Sequence, residues 1–122
     1  MIFVDSSVWI DWLRETNTPQ TAWLAQVPTD TRLVVGDLVL AEVLQGAKSD
    51  RQFTHVSRWL LSFTLVQVAG IEIAARAAEN FRKLRALGHT PRSNVDTLIA
   101  TRCIAENWPL LASDRDFEPF AN

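Results

Sequence analysis

Four short apolar runs, each followed or preceded by a segment with helical spacing, constrain the fold of this chain more than any other feature. The runs occupy residues 2–4, 33–35, 65–68 and 110–112. Each is short and, apart from Gln67, continuously apolar, which is typical of a strand buried on both faces of a parallel sheet. Strands that alternate with helices predict an α/β fold, a three-layer sandwich whose central, mainly parallel sheet is covered by helices on both faces.

Helix-start signals support this reading of the segments between the runs. Thr18 followed by Pro19 is typical of an N-cap and a first-turn proline, and residues 49–52 have the spacing of a capping box. The segment after Ser49 carries one apolar stripe, which we expect to face the core. The stripe consists of Phe53, Val56, Leu60 and Leu61.

The composition predicts one domain that spans residues 1–122. A chain of 122 residues with 48% hydrophobic residues has the usual size of a single domain and enough apolar material for a core. No stretch reaches the roughly 18 uninterrupted apolar residues of a membrane helix. The N-terminus has no basic leader, so we expect a cytoplasmic protein with no membrane association.

The few cysteines and histidines exclude some kinds of site. Cys103 is the only cysteine and the chain has two histidines, so an internal disulfide and a zinc site rich in thiolate or imidazole are both disfavoured. We expect Cys103 to be a small buried residue. The formal net charge of −2 lacks the basic signature of many nucleic-acid binders. A polyanionic substrate would therefore have to be attracted locally.

Four acids are predicted to meet at one edge of the sheet. Asp5 and Asp114 each follow a predicted strand, Asp96 falls in the first turn of a predicted helix, and Glu42 lies one turn into a largely apolar helix. The carboxyl ends of parallel strands and the amino ends of the following helices share one edge. Each acid alone also fits an ordinary role as a cap, a turn residue or a solvent-facing side chain. Their joint placement favours a site.

Carboxylates held close together repel one another, and a bound cation relieves the repulsion. Ligation by oxygen alone favours a hard ion, Mg²⁺ or Mn²⁺, over zinc. Such ions also bind phosphate oxygens. We therefore interpret the four acids as both the metal ligands and the catalytic groups of an enzyme that acts on phosphodiester bonds.

Four sequence blocks also resemble one family. The blocks are DSSVWIDWLR at residues 5–14, AEVLQG at 41–46, DTLIA at 96–100 and LASDRDF at 111–117. In this order they are similar to PIN-domain proteins, particularly the VapC toxins of bacterial type II toxin-antitoxin pairs. The resemblance extends from one end of the chain to the other.

The resemblance implies a ribonuclease of α/β/α fold, usually a homodimer, that is inhibited by an antitoxin of the VapB type. The metal-site acids of the family carry over to Asp5, Glu42, Asp96 and Asp114. Asp116 matches a frequent additional acid, and Ser7 stands where the family often has a small polar residue at the site. A PIN-domain enzyme of RNA processing is the alternative within the family.

A basic segment and the tryptophans have both functional and ordinary interpretations. A stretch without acids could attract an RNA backbone or could be the solvated face of a helix; it carries Arg82, Lys83, Arg85 and Arg92. Most of the five tryptophans are predicted to be core residues, although aromatic residues also anchor interfaces. From its position beside Trp12 and Leu13, Arg14 is a candidate for a surface that the antitoxin covers.

Two other kinds of protein fit less well. A phosphorylatable receiver domain should have adjacent acids after its first strand and an acid at the end of its third. Here Asp5 is followed by two serines, and the third run leads into Ala69 and Gly70. A nucleotide-binding module should carry a glycine-rich phosphate loop, and neither common form of that loop is present.

Overall fold

The sheet of this protein has four parallel strands in the order β3-β2-β1-β4. The computed structural model describes residues 1–91, 93–113, 117 and 120. The strands are β1 (Ile2–Val4), β2 (Leu33–Gly36), β3 (Thr64–Val66) and β4 (Leu110–Leu111). The helices are α1 (Ser6–Leu13), α2 (Pro19–Ala25), α3 (Asp37–Gln45), α4 (Asp50–Leu60), α5 (Ile71–Ala86) and α6 (Asn94–Glu106).

The strand order explains the layers. The chain moves in one direction from β1 to β3 and then reverses to reach β4. Because crossovers between parallel strands are right-handed, α1 to α4 lie on one face and α5 and α6 on the other. Contacts agree with this, since α1 packs on α2 and α3, α3 packs on α4, and α5 packs on α6. The predicted fold class is confirmed.

The third strand is shorter than the predicted 65–68 because Val68 bonds elsewhere. Its N–H donates to Asp37 Oδ1 at 2.8 Å, and its carbonyl accepts from Arg102 Nε at 2.9 Å. These bonds replace the ladder to β2, so the strand ends at Val66. Val68 is fully buried and crowds the end of β2, where a Cβ on Gly36 would lie 2.5 Å from Val68 Cγ2 and 2.7 Å from Phe3 Cζ.

The prediction that most of the five tryptophans are core residues is confirmed, because Trp9 lies in the core and Trp59 and Trp108 pack against it. Trp9 is fully buried and forms an aromatic cluster with Trp59 and Phe63, with ring centroids 5.2 and 5.0 Å from that of Trp9. Trp12 and Trp23, in contrast, are 37% and 38% exposed.

On α4 the predicted stripe holds only in part. Val56 and Leu60 are buried, whereas Phe53 and Leu61 are each 48% exposed. Phe53 lies in the first turn of α4 and Leu61 is the C-cap residue beyond it, so only the later turns within the helix reach the core.

Within the described residues, no helix combines the length and apolar character needed to cross a bilayer.

Candidate metal centre

Asp5 lies at the carboxyl end of β1, in the middle of the sheet. Its backbone N–H donates to the carbonyl of Leu111 at 2.9 Å, so it continues the pairing of β1 with β4. It is also the N-cap of α1, where Oδ2 accepts from the Ser7 N–H at 3.1 Å and from the Ser7 hydroxyl at 2.6 Å. Its side chain is 4% exposed. Strand, cap and burial together fix this carboxylate in one orientation.

Glu42 comes to the same place from α3. The Ser6 hydroxyl donates to Glu42 Oε2 at 2.7 Å, across 36 residues of chain. Ser6 is the first residue of α1 and is buried, while Glu42 is partly buried. The two neighbouring serines thus each hold one acid: Ser7 bonds Asp5, and Ser6 bonds Glu42.

The electrostatics show that Asp5 is held at a cost. Burial raises the pKa of the Asp5 carboxyl above its ordinary value of 3.8, and the charge of Glu42 raises it further. The hydrogen bonds from Ser7 and from the Ser6 backbone act in the opposite direction but do not cancel these effects. A bound cation would relieve both the desolvation and the repulsion.

Asp96 lies in the first turn of α6, which Ser93 caps by accepting from the Val95 N–H at 3.1 Å. Residues seven apart share a helix face, so Asp96 lies on the face of α6 that also carries Cys103. Cys103 is buried, as predicted, and burial together with the charge of Asp5 raises the pKa of its thiol to about 12. The face of α6 that carries Asp96 is therefore turned toward the end of β1.

Ser7 joins the end of β4 to the same site. Its hydroxyl accepts from the Ser113 N–H at 3.1 Å while donating to Asp5, and the Ser113 hydroxyl contacts Asp11 Oδ2 at 3.4 Å. The residues that follow Ser113 in the sequence, Asp114 and Asp116, lie outside the described residues. Their predicted roles therefore stay predictions.

The described side chains fit a hard divalent cation in chemistry but supply only part of a coordination shell. Asp5 and Glu42 offer carboxylate oxygens, and the protonated Cys103 thiol offers no thiolate. Among residues 1–91 and 93–113, no group of three or more acids, histidines or cysteines is arranged to hold an ion. A shared site for all four acids, including Asp96 and Asp114, stays a prediction.

Three of the four basic residues singled out in the sequence lie near the end of α5. Arg82, Lys83 and Arg85 are exposed, and none of them forms an ion pair within the described part of the chain. The Arg85 guanidinium lies 5.9 Å from the centroid of the Phe81 ring. Arg92 lies outside the described residues.

Two contributions escaped the sequence analysis. Only Ser7 was assigned to the site and Ser6 was given no role, although an acid followed by two serines at a helix start offers two hydroxyls that point to different sides. A polar contact between α5 and α6, from Asn80 Nδ2 to Thr101 Oγ1 at 3.0 Å, left no signal in the pattern. Both bonds join residues far apart in the chain, so spacing could not reveal them.

Comparison with known proteins agrees with this geometry. The family model for the PIN domain matches residues 2–122. The VapC ribonuclease Mb1587 of Mycobacterium bovis is 27% identical over 123 residues, covering 99% of this chain and 92% of its own length. Ribonuclease VapC11 of Mycobacterium tuberculosis is similar to the same extent.

Two solved structures share the fold. A toxin-antitoxin complex from Klebsiella pneumoniae matches with a TM-score of 0.75 at 18% identity, over 96% of this chain and 90% of that one. VapBC2 from Rickettsia felis, bound to a DNA fragment from its promoter, matches with a TM-score of 0.76 at 21% identity, over 98% and 93%. The parallel sheet, the acids at its carboxyl edge and the match of the family model along nearly the whole chain lead to one conclusion: this chain belongs to the PIN domain family.

Proposed function

We propose that this protein is a ribonuclease that depends on Mg²⁺ or Mn²⁺ and serves as the toxin of a toxin-antitoxin pair. The observation that carries the proposal is the Asp5 carboxylate, buried beside Glu42 at the carboxyl edge of the sheet with a raised pKa. The similarity to VapC ribonucleases supports RNA as the substrate class. The receiver alternative is dropped, since the chain belongs to another family.

The acids and the two serines of the site each have a defined task in this proposal. Asp5 and Glu42 would hold the cation, with Asp96 and Asp114 as the remaining donors and Asp116 as an additional acid. A divalent cation in such a site neutralises phosphate charge and acidifies water. Ser7 fixes Asp5 by its two hydrogen bonds, and Ser6 fixes Glu42. Each serine hydroxyl donates to a carboxylate that would hold the cation, so we assign the two serines the orientation of these acids and not nucleophilic attack.

The exposed cations of α5 would bring the RNA to this acidic edge. Arg82, Lys83 and Arg85 have no carboxylate partner among the described residues, so their charge is available to phosphate groups. A chain with net charge −2 needs such a local patch to attract a polyanion. Arg92 would extend this patch.

The decisive experiment measures RNA cleavage by wild-type protein and by Asp5→Asn, with Mg²⁺, with Mn²⁺ and with EDTA. We expect cleavage by the wild type with either metal, its loss in EDTA and its loss in Asp5→Asn. Asp30→Asn is the matched control, because Asp30 is an exposed aspartate in the loop before β2, away from the site. Full cleavage by Asp5→Asn, or cleavage that resists EDTA, would overturn the proposal.

A groove that leads to Glu42 supports the antitoxin as a partner. It lies between α1, α3 and α4 and has a volume of about 220 Å³. The lining residues are Ile10, Leu13, Arg14, Glu42, Val43, Leu44, Gly46, Ala47, Lys48, Gln52 and Val56. A second hollow of about 600 Å³ between α1 and α4 shares Leu13 and Val56 with it.

The chemistry of these two hollows fits a polypeptide with apolar and acidic side chains. Leu13 and Trp12 are exposed apolar residues, while Arg14, Lys48 and Arg58 place positive charge along the walls. A chain bound here would end beside Glu42 and could block the site. The fold is shared with toxin-antitoxin complexes, which supports an antitoxin of the VapB type as the occupant.

The toxin and the RNA-processing alternative can be separated directly. A toxin should arrest growth when induced, and co-expression of the product of an adjacent small reading frame should restore growth. An RNA-processing enzyme should do neither. The homodimer implied by the resemblance stays a prediction that analytical ultracentrifugation would test, and the cytoplasmic location stays a prediction as well.

A further inference from the structure

Two consecutive hydrogen bonds, the first partly buried and the second buried, link α5 to the first turns of α6. Asn80 Nδ2 on α5 donates to Thr101 Oγ1 at 3.0 Å, and the Thr101 hydroxyl donates to the Thr97 carbonyl at 2.7 Å. Thr101 and Thr97 are 3% and 2% exposed, so water has little access to either. The last acceptor in this series of hydrogen bonds, the Thr97 carbonyl, belongs to the residue that follows Asp96.

The Thr101 hydroxyl acts both as a hydrogen-bond acceptor, from Asn80, and as a donor, to the Thr97 carbonyl. These two bonds fix its orientation. A threonine inside a helix can bond the carbonyl four residues before it, which slightly bends the helix. In this buried position the Thr101 oxygen would have no donor if Asn80 were absent, and an unsatisfied buried acceptor is destabilising. The amide of Asn80 therefore holds the Thr101 hydroxyl, which in turn holds the Thr97 carbonyl.

The first turn of α6 needs this support. The Thr97 hydroxyl is buried and has no hydrogen-bond partner within the described part of the chain. An unsatisfied buried group weakens the turn that contains it. The two threonines lie four residues apart on the side of α6 that faces α5, whereas Asp96 lies on the side that faces β1. A shift of this turn would therefore move the carboxylate of Asp96 relative to Asp5.

We propose that Asn80 and Thr101 are positioning residues that fix Asp96 for metal binding. The inference rests on the proposed function, because Asp96 is a metal donor only in that proposal. Groups that orient metal ligands affect affinity about 10- to 100-fold when they are removed. A purely structural role would lower stability and leave the affinity unchanged.

The test compares two equivalent substitutions. Thr101→Val keeps the side-chain shape and removes the hydroxyl. Thr21→Val does the same to a threonine of α2 that is 7% exposed and whose hydroxyl donates to the carbonyls of Thr16 and Thr18, each at 3.1 Å. Mn²⁺ affinity is measured by calorimetry, together with Tm, kcat and KM.

We expect both variants to lose stability, but only Thr101→Val to bind Mn²⁺ about tenfold more weakly, with a lower kcat and an unchanged KM for RNA at saturating metal. Thr101→Ser should restore the affinity, since it restores the hydroxyl. Asn80→Ala should give the same loss as Thr101→Val, and it serves if Thr101→Val does not fold.

Two results would overturn the inference in distinguishable ways. If the wild type binds Mn²⁺ and cleaves RNA, but Thr101→Val and Asn80→Ala keep the wild-type affinity, Asn80 and Thr101 have only a structural role. If the wild type neither binds Mn²⁺ nor cleaves RNA, the proposed function fails and the positioning role fails with it.

Discussion

Replacing Asp5 by asparagine should make the metal-free protein more stable while abolishing its activity. Asparagine keeps an oxygen that can accept from the Ser7 N–H and hydroxyl, so the cap of α1 survives. The substitution removes the charge and exchanges one carboxylate oxygen for an amide NH₂ group. Stability and function then respond in opposite directions, as is common where a site stores unfavourable electrostatics.

The magnitude follows from the contacts of Asp5. Burying a carboxylate costs several kcal/mol. Three hydrogen bonds, two from Ser7 and one from the Ser6 backbone, favour the charged form by about 1 kcal/mol each over a neutral acceptor. The raised pKa shows that burial and the repulsion by Glu42 exceed this gain. We expect a net stabilisation on the order of 1 kcal/mol, which raises the Tm of a chain of this length by about 3–5 °C.

The pH dependence of this effect has a fixed sign. The pKa of Asp5 in the folded protein lies above the ordinary value of 3.8. Below pH 3.8 the acid is protonated in both folded and unfolded protein, and the folded state has its full stability from this group. That stability is lost as the pH rises through the folded pKa. The Tm of Asp5→Asn should therefore exceed that of the wild type increasingly from pH 4 to pH 8.

Thermal unfolding followed by circular dichroism in EDTA, from pH 4 to pH 8, measures this difference. Saturating Mg²⁺ should reverse the order of the two proteins, because a ligand at about 100 times its Kd stabilises the wild type by about 2.7 kcal/mol. Asp30→Asn is the control and should follow the wild type throughout. A lower Tm for Asp5→Asn in EDTA at pH 8, or a difference that does not change with pH, would refute the reasoning.

Three further changes test other parts of the molecule. Gly36→Ala should lower the stability by about 2–3 kcal/mol, since its Cβ would overlap two buried side chains; chemical denaturation measures this, and an unchanged midpoint would contradict the packing argument. Replacing Arg82, Lys83 and Arg85 together by alanine should reduce the slope of log affinity for single-stranded RNA against log salt by about 2; an equal slope would remove these residues from the interface. Leu13→Asp should weaken the antitoxin complex at least about tenfold while RNA cleavage by the free protein continues; calorimetry with the co-expressed partner decides, and unaltered affinity would place the partner elsewhere.

The alternation of apolar runs and helices was enough to predict the parallel sheet and the edge at which a site would form. Buried strands and amphipathic helices are encoded locally, through the apolar content and spacing of a few neighbouring residues. The same local logic placed Asp5 at a strand end and Asp96 at a helix start, both of which the structure reproduces. The family blocks added the activity expected of these acids.

Local patterns failed where burial depended on distant elements. Trp12 and Phe53 follow inward spacing in their helices, yet they are 37% and 48% exposed. The third strand stops at Val66 since Asp37 and Arg102 bind the backbone of Val68. These two bonds join residues 31 and 34 positions apart in the chain, which a local pattern does not reveal.

The character of the site was likewise decided by packing. No spacing in the chain indicates that Ser6 bonds Glu42, that Ser7 joins Asp5 to Ser113, or that Asn80 reaches Thr101. The residue types determine which charges are available. The cost of holding the charge of Asp5 depends on how much water the fold removes from it and on how near Glu42 is brought, because both quantities depend on three-dimensional distance and not on separation along the chain.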